Sequence, residues 1–307
     1  MKKINLSKPL LVLACLSALG VSAQAQTAPA APESTLAFNA GVVSEYRYRG
    51  ISQSRFQPAV QGGVDYADKS GVYVGAWAST IKWIKDNGVA SNNGAKGPVE
   101  LDLYGGYKFP IGDVAMDVGF LRYEYVGNTL SKNTSYHNAN TNEIYAAGTM
   151  GPFTLKYSYS LTDLFGQFNT TTNASSKGST YLDLSATFDL GNGISVVPHA
   201  GKQTVKNMAD NTYSDYALAL NKDLGNGLVL SATAYNTNAK IADQLLAIQR
   251  DDLDIDYVDR RNAEVDAVTI DDCKCVAKQL LRTDDLDRKS TRLNSSHVKR
   301  SRMPSSA

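Results

Sequence analysis

Leu36-Ala-Phe-Asn-Ala-Gly-Val-Val-Ser-Glu-Tyr-Arg-Tyr-Arg49 alternates in steps of two. Leu36, Phe38, Ala40, Val42, Tyr46 and Tyr48 share one face, and Asn39, Gly41, Glu45, Arg47 and Arg49 share the other. Side chains of a strand point alternately to its two faces, so this is one strand with an apolar, tyrosine-ended face and a polar, charged one. Two environments produce that pattern. A sandwich strand turns its apolar face to a core; a transmembrane barrel strand turns it to lipid and its polar face to an aqueous lumen. Whether the pattern repeats, and what lies between the repeats, decides between them.

Ten further alternating segments follow, at residues 59–66, 72–79, 99–108, 114–125, 142–150, 153–161, 181–190, 194–202, 215–224 and 228–235. In the sixth of these, Phe153, Leu155, Tyr157, Tyr159 and Leu161 oppose Thr154, Lys156, Ser158 and Ser160. In 114–125 the phase breaks at Arg122 and Glu124, and a β-bulge near Leu121 is expected to return Tyr123 and Tyr125 to the outer face. Short turns at 67–71, 109–113, 151–152, 191–193 and 225–227 alternate with long polar stretches at 50–58, 81–98, 126–141 and 163–178 and around 208–213. Leu-Gly-Asn-Gly recurs at 190–193 and 224–227, where Gly and Asn tolerate the positive φ of a tight hairpin.

A sandwich has no reason to sort its connections by parity, whereas an outer-membrane barrel has short periplasmic turns and long outer loops. The expected fold is therefore all-β, an antiparallel up-and-down transmembrane β-barrel. Eleven strands are visible and twelve make it complete: the first begins on the short-turn side and the eleventh ends on the long-loop side. An open edge in lipid leaves backbone groups unpaired at several kcal/mol each.

The bulk composition is consistent with this and excludes little else. Mean hydropathy is −0.27, but a barrel escapes hydropathy because its inward residues are polar. A formal charge of +1 gives no electrostatic footprint for a nucleic-acid partner. Seventeen Tyr and 24 Gly suit aromatic girdles and tight turns. Lys2, Lys3 and Lys8, the apolar run 10–21 and Ala23-Gln24-Ala25 form an export signal over 1–25. Its apolar run is too short to span a bilayer. Residues 26–35 follow as a periplasmic leader and 36–240 as the barrel. Between 26 and 240 there is no cysteine, hence no disulfide or thiolate metal site there.

From 241 onward the polypeptide is of another kind, with 25 charged residues in 67 against 33 in the 215 of 26–240, and Tyr257 its only aromatic. Residues 241–286 are a tail of uncertain origin, out of frame or chimeric. Residues 287–307, from Asp287-Arg-Lys-Ser-Thr-Arg-Leu-Asn-Ser-Ser-His297 to Ser301-Arg-Met-Pro-Ser-Ser-Ala307, resemble a translated sequencing adapter. Cys273 and Cys275 lack partner ligands, and the acidic run 251–259 lacks the glycine and ligand spacing of a calcium loop, so neither is taken as a metal site.

Phe38-Asn-Ala-Gly-Val-Val-Ser-Glu-Tyr-Arg-Tyr-Arg-Gly-Ile-Ser-Gln-Ser54, Pro58-Ala-Val-Gln-Gly-Gly-Val-Asp-Tyr66 and Gly71-Val-Tyr-Val-Gly-Ala-Trp-Ala-Ser79 resemble the TorF family of putative porins from proteobacteria. The resemblance implies an outer-membrane barrel with a pore role and no defined substrate. It also implies a last strand ending on an aromatic residue, the feature read by the barrel-assembly machinery, where this chain ends in Ala307.

The expected function is passive diffusion of small hydrophilic solutes, with outer-membrane lipid, those solutes and the assembly machinery as partners and no cofactor. Candidate pore-lining residues, opposite the lipid face, are Glu45, Arg47, Arg49, Glu100, Asp102, Lys108, Asp117, Lys156, Asp183 and Asp189. Their mixed signs suit either an open, charged pore or a lumen closed by salt bridges, which leaves a structural or adhesive barrel as an alternative. A lipid-modifying enzyme is the second alternative. His137 and His199 are the histidines available to it, and neither has a recognisable Ser motif beside it.

Overall fold

Leu36, Phe38 and Val42 stand 60, 76 and 52% exposed along one side of the first strand, and that side continues around the sheet. The computed structural model describes residues 11–12, 34–90 and 94–239. Among these residues the wall is eleven strands: β1 Ser34–Val43, β2 Ala59–Asp68, β3 Val72–Thr80, β4 Val99–Ile111, β5 Val114–Val126, β6 Thr141–Met150, β7 Phe153–Ser160, β8 Thr180–Ala186, β9 Ile194–Thr204, β10 Tyr213–Asp223 and β11 Val229–Thr237. β8 breaks at Thr187 and resumes as Phe188–Gly191 along β9. Each strand pairs antiparallel with the next in sequence, so the topology is up-and-down throughout.

The connections sort as the sequence requires. β2–β3, β4–β5, β6–β7, β8–β9 and β10–β11 close in short turns, and the others are long. In both Gly-Asn-Gly turns all three residues have positive φ: 81°, 53° and 70° at Gly191, Asn192 and Gly193, and 83°, 53° and 79° at Gly225, Asn226 and Gly227. The turn 109–113 is tighter than expected, because Pro110 and Ile111 still pair with Ala115 and Val114. Pro110 lacks an N–H, and a strand end is where a sheet tolerates that.

Three expectations about the wall are corrected. β1 stops at Val43 rather than reaching Arg49: the chain bends at Ser44 and Glu45, and Arg49 (φ 45°) and Gly50 (φ 76°) then adopt the left-handed region and turn Arg47–Tyr48 back against Ile51–Ser52 in a small hairpin. Tyr46 and Tyr48 therefore leave the outer face and enter the barrel. No bulge occurs near Leu121: β5 keeps continuous register with β4 and β6, so Tyr123 and Tyr125 face inward at 2% exposure each. Arg122 and Glu124 face outward and satisfy one another as an ion pair, with Arg122 also donating to Asn142 and Glu124 accepting from Asn140. The stretch 81–98 is not wholly loop, since it contains α1, Trp83–Ala90, whose Ile84 is fully buried.

The long connections pack together at their end of the barrel. Val43, Tyr46, Ile81, Ile84, Tyr125 and Leu130 form an apolar cluster with Trp77, Trp83 and Phe165 around it. Arg55 pairs with Asp86 and so ties the hairpin's loop to α1. The sheet curls around the hairpin, which touches successive strands in order: Tyr46 meets β4, Tyr48 β5 and Arg49 β6, β8 and β9. Arg47 then reaches Tyr235 on β11.

Leu11–Val12 pairs antiparallel with Ala234 and Thr233 on the outer edge of β11. The rest of the expected signal segment and leader up to residue 33, and the tail segments 241–286 and 287–307 with Cys273 and Cys275, lie outside the described residues.

Candidate functional site

Inward positions of neighbouring strands face each other across the hydrogen-bond ladder, so they run around the lumen in rows. One row is Lys108, Asp117, Ala147, Lys156, Asp183, Gly201, Asp215 and Thr237, from β4 to β11. It brings together four candidates, Lys108, Asp117, Lys156 and Asp183. The next row toward the loops is Tyr73, Gly106, Gly119, Tyr145, Ser158, Tyr181, Gln203 and Tyr213. Above it lie Asp65, Gly75, Tyr104, Leu121, Glu143 and Ser160.

Aromatic and glycine positions in these rows are matched. A Cβ on Gly75 would lie 2.4 Å from the Tyr104 ring, one on Gly106 2.5 Å from the Tyr73 hydroxyl, and one on Gly119 2.5 Å from that of Tyr145. Tyr181 lies over Gly201 in the same way. The missing side chain lets each ring lie back against the wall of the adjacent strand instead of projecting across the lumen. Three of the rings also carry a cation: Lys108 Nζ is 5.0 Å from the Tyr73 centroid, Lys156 Nζ 4.0 Å from Tyr145, and the Arg49 guanidinium 4.3 Å from Tyr181. Such contacts are worth about 0.5–2 kcal/mol, more when water is excluded.

The phenols donate to the wall's carboxylates. Tyr104 donates to Asp65 at 2.5 Å, Tyr73 to Asp117 at 2.6 Å, and Tyr181 to both oxygens of Asp215 at 3.0 and 3.2 Å. His199 Nε2 lies 3.1 Å from the Tyr181 hydroxyl, 3.3 Å from Asp215 Oδ1 and 3.6 Å from Asp183 Oδ2. Two carboxylates thus converge on one imidazole nitrogen.

At the loop end the hairpin closes over these rows. Arg49 forms a two-pronged pair with Glu143, Nη1 to Oε1 at 3.1 Å and Nη2 to Oε2 at 2.7 Å, and Nη1 also donates to Gln203 Oε1 at 2.7 Å. Both members of the pair are nearly water-free, with side chains 6 and 3% exposed. Tyr46 donates to Glu100 Oε1 at 2.6 Å, and the Tyr48 and Tyr123 hydroxyls touch. Burial, with the Glu100 carboxylate beside it, pushes the Tyr46 phenol well up, so it stays a donor; burial does the same to Tyr48. Arg47 pairs with Glu45 at 3.1 Å and lies over the Phe56 and Tyr235 rings. Gly50 is required at the hairpin tip, where a Cβ would sit 2.5 Å from Asp215 Cβ.

The ten candidates therefore fall into three groups. Lys108, Asp117, Lys156 and Asp183 line the wall. Glu100, Asp102 and the hairpin residues Glu45, Arg47 and Arg49 lie where the hairpin meets the wall, and Asp102 Oδ1 has no hydrogen-bond partner among the described residues. Asp189 sits at the short-turn rim, its Oδ1 accepting the Gly191 N–H at 2.8 Å. Asp65, Glu143 and Asp215 are lumenal carboxylates that the candidate set lacks. Their signal was present in the two-step alternation of β2, β6 and β10: Asp65 falls between outward Val64 and Tyr66, Glu143 precedes outward Ile144, and Asp215 precedes outward Tyr216.

His137 lies in the outer loops. Its Nδ1 is 2.6 Å from Asp163 Oδ2, and its ring stacks on Phe168 at 4.0 Å. Ser175 also bonds Asp163, and the Ser176 N–H donates to it at 2.8 Å. Serine and histidine both bind the aspartate, whereas nucleophile activation needs the histidine between the other two. Although part burial acts against it, these hydrogen bonds hold the Asp163 carboxyl below the usual carboxylate range.

Solved structures similar to the chain include the crystal structure of Pseudomonas aeruginosa OccK5 (OpdH), at 13% identity and a TM-score of 0.31 over 66% of this chain and 67% of that one. Acinetobacter baumannii OccAB4 matches at 10% identity and a TM-score of 0.31, covering 67% of this chain and 62% of that chain. The outer membrane protein OprD from Pseudomonas aeruginosa matches at 15% identity and a TM-score of 0.29, covering 67% and 66%. The chain thus spans about two thirds of the length of these proteins. No curated protein matches it. A family model described as "Bacterial protein of unknown function (Gcw_chp)" matches residues 26–254, most of the sequence, and the chain belongs to that family.

Proposed function

We propose that the chain is an outer-membrane, porin-like channel for small hydrophilic solutes, narrowed on the loop side by its own inward hairpin. The observation that carries this reading is the division of the wall. Outward positions from Leu36 on β1 to Leu230 on β11 form an exposed apolar surface, while inward positions carry carboxylates, lysines and tyrosine hydroxyls. An apolar band around a polar interior is what lipid outside and water inside demand. The export signal over 1–25 and the resemblance to TorF-family putative porins support the same location, with short turns toward the periplasm.

The buried Arg49–Glu143 pair favours a second reading, a barrel closed at rest. Currents across planar bilayers separate the two. Steps from the wild-type protein support the channel. Steps from Arg49→Ala alone support a channel shut by its hairpin. If both are silent while circular dichroism shows folded barrel, the channel reading falls and the structural or adhesive alternative replaces it. For the lipid-modifying alternative, phospholipid turnover abolished by His137→Ala or His199→Ala is the deciding result.

A further inference from the structure

The whole chain is almost neutral, but the lumen is not. On the hairpin and on the wall above the short-turn rim, eight carboxylates face four arginine or lysine side chains. We infer that the lumen selects for cations, and that the solutes it passes are inorganic cations and small amines rather than anions. This rests on the channel reading.

The cations at the loop end are already neutralised. Arg49 is paired two-pronged with Glu143, and Arg47 with Glu45. The two remaining lysines, Lys108 and Lys156, sit against tyrosine rings. The carboxylates below the hairpin are placed differently. Asp65, Asp117 and Asp215 each accept a phenol O–H, a hydrogen bond that suits the ionised, acceptor-only form. Asp65 and Asp117 still have acceptor capacity to spare for a passing cation, whereas Asp215 is buried beneath the hairpin tip, its side chain 4% exposed.

Asp183 is the most available of them. It stands directly across the ladder from Lys156, yet no ion pair joins the two within 4.0 Å among the described residues. Its contact is the shared His199 nitrogen at 3.6 Å, and its side chain is 26% exposed to the lumen. One imidazole nitrogen between Asp183 and Asp215 cannot satisfy both carboxylates with a single proton. A potassium ion or an ammonium group entering there meets the part-exposed Asp183 carboxylate, with the buried Asp215 carboxylate behind it adding to the negative field. A surplus of one sign inside low-dielectric walls concentrates the opposite ion, and this sets selectivity in pores built from charged side chains.

The test is the reversal potential of single channels under a potassium chloride gradient. The wild-type value should shift toward the potassium equilibrium potential. Asp183→Asn and Asp117→Asn, which change charge without changing shape, should each move it back toward zero, and Lys156→Gln should move it further toward potassium. Because the two kinds of variant must shift in opposite directions, a loss of folding cannot imitate the result. A value at zero, or toward the chloride potential, overturns the inference and leaves the channel reading standing. Absence of current from every variant, Arg49→Ala included, overturns the channel reading and this inference with it.

Discussion

Arg49 is the residue on which the loop end closes, since its guanidinium meets Glu143, Gln203 and the Tyr181 ring, on three different strands. Truncating one member of such a buried pair leaves the other charged and unpaired, at about 3–5 kcal/mol. Arg49→Ala should therefore free the hairpin, and the double variant Arg49→Ala/Glu143→Gln should recover part of the lost thermal stability while keeping the raised conductance. The tyrosine and glycine pairs make a second demand at this scale. Gly75→Ala puts a methyl group 2.4 Å from the Tyr104 ring, which must lift off the wall and leave Asp65. The expected cost is about 1–3 kcal/mol, as for other overpacked sites, and a melting curve beside that of Tyr104→Phe will measure it. The sequence displays each of these glycines and tyrosines but not their partnership. Gly75 and Tyr104 belong to different strands, and only register makes them neighbours.

At the scale of elements, alternation made the strands legible and left their ends obscure. In β5 the charges Arg122 and Glu124 suggested a slip of phase, yet the strand keeps its register and the two charges satisfy each other outside. Cysteine scanning distinguishes these cases. A water-soluble thiol reagent added from outside should modify Arg122→Cys quickly and Tyr123→Cys slowly, and the reverse order would restore the bulge. The hairpin was hidden for a related reason: Glu45 to Arg49 continues the period of β1, and neither the bend at Ser44 and Glu45 nor the positive φ that folds the tip at Arg49 and Gly50 disturbs that period. Asp163 governs the outer loops, tying His137 to Ser175 and Ser176. Its carboxyl is held low, so its stabilising effect is complete above the ordinary aspartate range and disappears as pH falls through its lowered value. Loops 127–140 and 161–179 should then open to pepsin only below about pH 4, and Asp163→Asn should open them to trypsin or chymotrypsin at neutral pH.

At the scale of the molecule, parity of connections was enough to give the topology, whereas the curl of the sheet around a hairpin needed three dimensions. That curl brings Arg47 within 5.5 Å of the Tyr235 ring, although the two are far apart in the chain. With the native cysteines replaced by serine, Arg47→Cys and Tyr235→Cys should be joined by a short bifunctional thiol reagent in folded protein and not in denatured protein. Failure in folded protein would mean that the first and last strands do not enclose a common interior.

β1 and β11 both run from the short-turn rim to the loop rim, because Ser34 lies opposite Asp68 and Val229 opposite Asp223. Two edges with the same heading cannot be joined by the antiparallel pairing that joins every other pair of neighbours among the eleven strands. Joined directly, they would form a parallel ladder, with evenly spaced, slanted hydrogen bonds in place of the perpendicular ones elsewhere in the wall.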